Sequence, residues 1–137
     1  MATKDIQSIL KTKEASGNQV FTADGFLDGF AIDTQDFGGL MLSIICTTHT
    51  AGVTFTNVLL ESDDNVTYTI TDAKFVTGTA VTTAASSETV DPKTLGYVGK
   101  KRYVKLRTIA TGIVGGNGGI VRGQAVFGEP RKAPVVQ

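Results

Sequence analysis

Short apolar segments separated by turn residues recur along most of the chain and predict strands. The clearest alternation of apolar and polar positions runs over residues 66–70, where threonine alternates with valine, tyrosine and isoleucine, and over residues 101–109, where apolar residues alternate with basic ones. Because successive side chains of a strand point to opposite faces, each segment is expected to have one buried and one wet face. A last strand is predicted over residues 120–128.

Other segments depart from simple alternation. Residues 39–47 are almost continuously apolar and rich in residues branched at Cβ, which predicts the central strand of a sheet. In residues 53–61 the alternation slips at Asn57-Val58, which indicates either a bulge or a strand covered on both faces. In residues 77–94 the successive positions differ little in hydrophobicity, which predicts short edge strands or a long loop.

The two ends of the chain have patterns of their own. Residues 3–14 contain the spacing of a helix, with Ile6, Ile9 and Leu10 at positions i, i+3 and i+4, which predicts a short arm or one to two helical turns. Residues 129–137 contain two prolines and are expected to be extended. The predicted parts are an N-terminal arm over 1–17, a β-domain over 18–128 and a C-terminal tail over 129–137.

The composition agrees with an all-β domain. Thr, Val and Ile contribute 20, 14 and 9 of the 137 residues, and branching at Cβ favours a sheet over a helix. The 16 glycines supply turns. About eight short strands, with turn signals about every ten residues, predict a jelly-roll-like antiparallel β-sandwich. The length fits one domain.

Nothing in the sequence predicts membrane insertion or secretion. No stretch approaches the roughly 20 consecutive apolar residues of a membrane-spanning helix. Residues 1–8 lack the apolar core of a signal peptide. We therefore expect a protein that is made in a cytoplasm and has no membrane partner.

Opposite charges are segregated along the chain, although the formal net charge is zero. Residues 14–72 include nine acidic and no basic side chains, whereas residues 93–132 include nine basic side chains and one acidic residue, Glu129. The two halves either neutralise each other in space or create an acidic and a basic face that suits contacts between subunits. A neutral domain with few aromatic residues in its basic segment does not favour nucleic acid as a partner.

The residue types that most often carry catalysis or bind metals are scarce. His49 and Cys46 are each the single residue of their type, and the apolar surroundings of Cys46 indicate a buried thiol. The Asp63-Asp64-Asn65 segment lacks the glycine and glutamate of a calcium loop and predicts a turn. The glycine-rich residues 115–119 lack the lysine of a phosphate-binding loop. We therefore expect no enzyme activity, no metal and no cofactor.

Two segments carry a resemblance to a known family. Residues 59–68 read LLESDDNVTY, and residues 96–107 read GYVGKKRYVKLR. Over residues 55–128 the chain resembles small structural proteins of tailed bacteriophages, the capsid decoration or cement proteins. The resemblance implies a jelly-roll-like protein made in the host cytoplasm and located on the outer surface of the capsid. It also implies binding to the major capsid protein, clamping of neighbouring capsid subunits, and no catalytic residues.

The predicted contacts with the capsid or a neighbouring subunit are apolar residues of the arm, the basic cluster, and residues of the tail. They are Ile6, Ile9, Leu10, Lys100, Lys101, Arg102, Lys105, Arg107, Arg131, Lys132 and Val135. We also expect self-association as a dimer or trimer.

Two other functions compete with this one. A carbohydrate-binding or adhesive β-sandwich displayed on a virion is disfavoured because the chain has no Trp to form a sugar platform. A small hydrolase would need a base, and His49 is the candidate that the sequence offers.

Overall fold

Strands make up nearly all of the regular structure. The computed structural model describes residues 11–35, 37–78, 81–83 and 93–130. In chain order its strands are β1 (Lys11–Phe21), β2 (Gly25–Asp28), β3 (Ile32–Asp33), β4 (Phe37–His49), β5 (Thr54–Ser62), β6 (Thr69–Ile70), β7 (Val76–Thr77), β8 (Val81–Thr83), β9 (Lys93–Tyr97), β10 (Tyr103–Thr111) and β11 (Gly119–Pro130). A 3₁₀ turn spans Ala73–Phe75. Within the described ranges, no helix is long and apolar enough to cross a membrane.

The strands form two antiparallel sheets with jelly-roll connectivity. One sheet has the order β1-β11-β4-β9-β7, and the other has the order β2-β10-β5-β6, with β3 also beside β10 and β8 also beside β5. When β2 and β3 count as one position, β6 and β8 count as another, and the two-residue edge strand β7 is set aside, the remaining eight positions are arranged 1-8-3-6 and 2-7-4-5. This is the strand order of a double-sheet jelly roll. The predicted fold class, an antiparallel jelly-roll-like sandwich, is confirmed.

The core lies between the sheets and is built from every second residue of the long strands. The buried positions of β4 and β10 are Leu40, Leu42, Ile44, Cys46, Val104, Leu106, Thr108 and Ala110. Strand β4 lies between β11 and β9, so the prediction of a central strand over 39–47 is confirmed. Burial of each large aliphatic side chain stabilises the fold by roughly 1.5–3 kcal/mol relative to exposure.

The sandwich begins earlier in the chain than predicted. Strand β1 starts at Lys11, opposite Phe127 of β11, so residues 11–17 belong to the sheet and not to an arm. The helical pattern is wrong for residues 11–14, because pairing with β11 outweighs a weak local periodicity. Strand β11 likewise continues to Pro130, beyond the predicted boundary at 128.

Some predicted contact residues lie outside the described part of the chain. These are Ile6, Ile9 and Leu10 of the arm and Arg131, Lys132 and Val135 of the tail. In the segment 77–94, the described residues form the short strands β7 and β8 and the start of β9.

Strand β5 has no bulge. It pairs with β10 without a register shift, so the alternative prediction, a strand covered on both faces, describes it better. Leu59 and Leu60 are consecutive and both buried. Leu60 lies on the outer face and is covered there because it pairs with Lys105 on one side and Ile70 on the other.

The predicted strand over residues 66–70 is mostly a turn. Only Thr69 and Ile70 pair, as β6. The backbone N–H groups of Val66 and Thr67 donate to the Asp64 carboxylate, both at 2.9 Å, instead of to a neighbouring strand. Side-chain hydrogen bonding to the backbone thus overrides an alternating pattern.

A backbone crossing at Gly29 closes one side of the sandwich. The N–H of Gly29 donates to the Leu106 carbonyl of one sheet at 2.7 Å, and the next N–H, of Phe30, donates to the Ala15 carbonyl of the other sheet at 2.8 Å. A Cβ atom at position 29 would collide with the Ala15 carbonyl oxygen. Glycine is therefore needed at this close approach of two backbones.

One buried hydrogen bond joins β5 and β10 in the core, and its contribution to the free energy of unfolding can be measured. The Thr108 hydroxyl donates to the Asn57 side-chain carbonyl at 2.6 Å, and the two residues lie opposite each other. Thr108→Val keeps the shape but removes this donor, and it should lower the free energy of unfolding by about 1–3 kcal/mol. Urea unfolding measures the change. Thr111→Val, at an exposed position of the same strand, should change it by less than about 0.5 kcal/mol. Equal stabilities would show that the hydrogen bond contributes nothing.

Candidate interaction surface

The basic cluster is positioned by the alternation of β10. Val104 and Leu106 enter the core, so Lys105 and Arg107 stand on the outer face of the sheet. Lys100 and Lys101 lie in the connection that leads from β9 into β10. The structure therefore brings the predicted basic contacts onto one strand and the loop before it.

Three of these cations are paired with carboxylates from distant parts of the chain. Arg107 donates to both oxygens of Asp28 at 2.7 and 3.0 Å. Arg102 donates to both oxygens of Asp33 at 3.0 and 2.8 Å, and Lys101 donates to Asp63 at 2.6 Å. The two arginine pairs are bidentate, and bidentate pairs are stronger and more specific than single contacts.

The pairs shift the ionisation of their members. The hydrogen bond from Arg102 holds the pKa of Asp33 below its usual value. The hydrogen bonds to Asp28 and Asp63 raise the pKa of Arg107 and of Lys101, respectively. These shifts favour the charged forms of Asp33, Arg107 and Lys101.

The segregation of charge along the sequence is largely cancelled in space. Arg122 of β11 also pairs, at 3.3 Å, with Glu14 of β1. Acidic residues of the first half thus lie beside basic residues of the second half on neighbouring strands. Of the two interpretations of the charge pattern, mutual neutralisation describes these residues.

Aromatic rings accompany the cations on the outer face of the same sheet. The Arg107 guanidinium lies 4.0 Å from the centre of the Phe26 ring, and the Lys105 ammonium lies 4.4 Å from that of Tyr68. Cation–π contacts contribute roughly 0.5–1 kcal/mol at exposed sites. They fix the long side chains in place.

The described residues that adjoin the predicted contact regions lie together at one end of the sandwich, here called the terminal end. Lys11, where β1 begins, lies opposite Phe127. Pro130, where β11 ends, lies opposite Phe37, and the loop that contains Lys100 follows Tyr97 in the adjacent strand. The arm and the tail therefore leave the described domain at the same end as the Lys100 loop.

Several lysines have no acidic partner. Within the described ranges, no carboxylate forms an ion pair with Lys11, Lys93, Lys100 or Lys105. Two of these four, Lys11 and Lys100, lie at the terminal end. A negatively charged partner can approach them without breaking an internal pair.

Tyr97 connects the two sheets at the terminal end. Its hydroxyl donates to Glu61 of β5 at 2.9 Å and accepts the Lys101 backbone N–H at 3.0 Å. Burial, together with the acceptor Glu61, raises the pKa of Tyr97 to about 12. Sequence reasoning missed this pair. The sequence feature that could have revealed it is Glu61, an acidic residue directly after Leu59-Leu60, because a half-buried carboxylate needs a partner.

The Asp63-Asp64-Asn65 segment forms the predicted turn. The Asp64 carboxylate accepts the Ser62 hydroxyl and two backbone N–H groups, which lowers its pKa, with the backbone hydrogen bonds as the main cause. Asn65 adopts a left-handed conformation, with φ of 61°. Asp64 is thus engaged in holding the loop.

His49 and Cys46 have structural contacts. The His49 Nε2 atom is 2.9 Å from the Val53 carbonyl, and the ring packs on Phe55. The buried Cys46 thiol donates to the Thr48 carbonyl at 3.2 Å. Across the described residues, no group of three or more His, Cys, Asp or Glu is arranged to hold a metal ion.

Comparisons with known proteins assign no family. No protein-family model and no curated protein matches the chain. Among solved structures, the chain is similar to the crystal structure of the infectious bursal disease virus VP2 subviral particle, with a TM-score of 0.49 and 13% sequence identity. The similarity covers 89% of this chain and 32% of that one, so the chain spans about a third of the viral protein's length.

The raised pKa of Tyr97 predicts a specific loss of stability in alkali. The folded state favours the protonated phenol, so this contribution is complete below about pH 10 and disappears as the pH rises toward 12. Tyr97→Phe should be less stable at pH 8, by roughly 1–3 kcal/mol. The difference from wild type should shrink between pH 10 and 12.

Urea unfolding at pH 8, 10 and 11.5 tests this expectation. Both proteins share every other titrating group, so the difference between them isolates position 97. A difference that stays constant over this range would contradict the assignment.

Proposed function

We propose that the protein is a non-enzymatic virion component that binds the outer surface of a bacteriophage capsid and clamps neighbouring major capsid subunits. The single observation that carries the proposal is the convergence at the terminal end. The first and last residues of the described sandwich lie together there with Lys100, which forms no ion pair with a described residue, although all three are far apart in sequence. The resemblance of residues 55–128 to decoration proteins supplies the class of partner.

The arrangement suits a subunit that stabilises an assembled lattice. A protein that binds assembled subunits and not dissociated ones stabilises the lattice by RT ln(1 + [L]/Kd) at each site. If the arm and the tail both contact the capsid, they add avidity, because the second contact forms at a high effective concentration. Self-association as a dimer or trimer would multiply these contacts further.

Capsid attachment should be saturable and sensitive to salt. We expect the purified protein to co-sediment with empty expanded heads of the phage that encodes it, at a fixed ratio to the major capsid protein. Raising the ionic strength from about 0.05 to 0.5 M should weaken binding about tenfold, because exposed charges are screened. No binding at either ionic strength would reject the proposal and leave the carbohydrate-binding alternative, which a glycan array tests.

The N-terminal arm should contribute to attachment without supporting the fold. Because the described part of β1 begins at Lys11, deletion of residues 1–10 removes no residue of a described strand. The truncated protein should bind heads at least about threefold more weakly, as expected when one contact of a multivalent set is lost. Its urea unfolding midpoint should match that of the full chain. Equal binding would show that the arm makes no contact.

A further inference from the structure

A cleft of about 390 Å³ opens at the terminal end. Its walls include Phe37, Gly38 and Gly39 of β4, Tyr97, and the Gly99-Lys100 segment of the loop before β10. The cleft combines two aromatic residues, glycine backbone, and two lysines, Lys100 and Lys101, of which Lys101 already pairs with Asp63. These are the components that recognise an extended peptide.

The wall formed by β4 has an edge that no described strand covers beyond Leu40, although the Phe37 N–H already donates to the Thr34 carbonyl at 3.1 Å. On one side, β4 is paired with β11 as far as Phe37. On the other side, its pairing with β9 begins at Ile44 and stops at Leu40. Among the described residues, no strand pairs with Phe37–Gly39 on the β9 side, so the ladder ends three residues before β4 does.

The edge is open because the chain turns away after β9. The Val98 N–H donates to the Phe75 carbonyl at 2.8 Å, and the Lys101 N–H donates to the Tyr97 hydroxyl at 3.0 Å. These bonds direct the chain toward β10 in the opposite sheet. The turn leaves Gly38 exposed at the floor of the cleft.

The charges around the cleft favour an acidic occupant. Lys100 is exposed and forms no ion pair with a described residue. The nearby carboxylates of Asp33, Asp63 and Glu61 are already bonded to Arg102, Lys101 and Tyr97. Among the described side chains, no acid competes with an incoming carboxylate for Lys100.

We propose that this cleft binds an extended acidic segment of the capsid subunit by strand addition. The segment would continue the position of β9 along Gly38 and Gly39, form backbone hydrogen bonds to β4, and place a carboxylate beside Lys100. The identity of the partner rests on the proposed function, whereas the chemistry of the cleft does not. Binding through the backbone gives affinity, and the lysine selects the charge of the segment.

A peptide titration followed by NMR tests the cleft independently of any capsid. The probe is acetyl-Thr-Glu-Val-Glu-Thr-amide, added to the ¹⁵N-labelled full chain. Its controls are the same peptide with Lys in place of Glu and the acidic peptide with N-methylated backbone amides. We expect saturable shifts confined to the amides of Gly38, Gly39, Gly99 and Lys100, with the acidic unmethylated peptide only.

Two charge-reversal variants complete the design. Lys100→Glu should weaken peptide binding about tenfold. Lys93→Glu is the matched control, because Lys93 is also exposed and unpaired among the described residues but lies at the far end of β9. It should bind as wild type does. Shifts outside the cleft, equal shifts with both charges, or no effect of Lys100→Glu would overturn the proposal.

Co-sedimentation of the same variants with heads separates this inference from the proposed function. If wild type binds heads and Lys100→Glu binds equally well, the cleft is not the capsid contact, and the proposed function stands. If wild type does not bind heads but binds the acidic peptide at the cleft, the proposed function fails and the site stands as a peptide-binding site.

Discussion

The continuous pairing of β10 with β5 is the constraint on which the rest of the molecule depends. From Tyr103 opposite Ser62 to Thr111 opposite Thr54, the two strands run without a register shift. This register sends every second residue of β10 into the core. It thereby fixes the outward direction of the basic residues between them. A slip of one residue would exchange the two faces and bury the charges.

The ion pairs follow from this register and from the jelly-roll connectivity. Arg107 and Asp28 are 79 positions apart in sequence, and Arg102 and Asp33 are 69 apart. The connectivity places β2 and β3 beside β10, so an acidic early segment and a basic late segment become neighbours. Each exposed pair adds little to the free energy of unfolding. Together they neutralise a face that would otherwise be strongly basic and hold its side chains in fixed positions.

The same connectivity determines which strands and side chains meet at the terminal end. A jelly roll places its first and last strands side by side in one sheet, so the two ends of the domain leave from neighbouring positions. At that end β9 stops before β4 does, and the next loop crosses to the other sheet. Lys100, which forms no ion pair with a described residue, lies beside the stretch of β4 that no described strand pairs with on the β9 side. The fold alone implies no function, because jelly rolls serve many. The local chemistry of this end is what favours a peptide partner over a small-molecule substrate.

The sequence by itself determined the fold class, the central strand at 39–47, the alternating strand at 101–109 and the turn at Asp63-Asp64-Asn65, because these depend on local periodicity and local hydrogen bonding. It misplaced the start of β1 and overextended the strand at 66–70, since pairing with β11 and the carboxylate of Asp64 outweigh a short pattern. Only the tertiary structure decided which carboxylate neutralises which cation, that Tyr97 connects the sheets, and that Lys100 remains without an acidic partner among the described residues. Those properties depend on contacts between residues tens of positions apart, which no local pattern specifies.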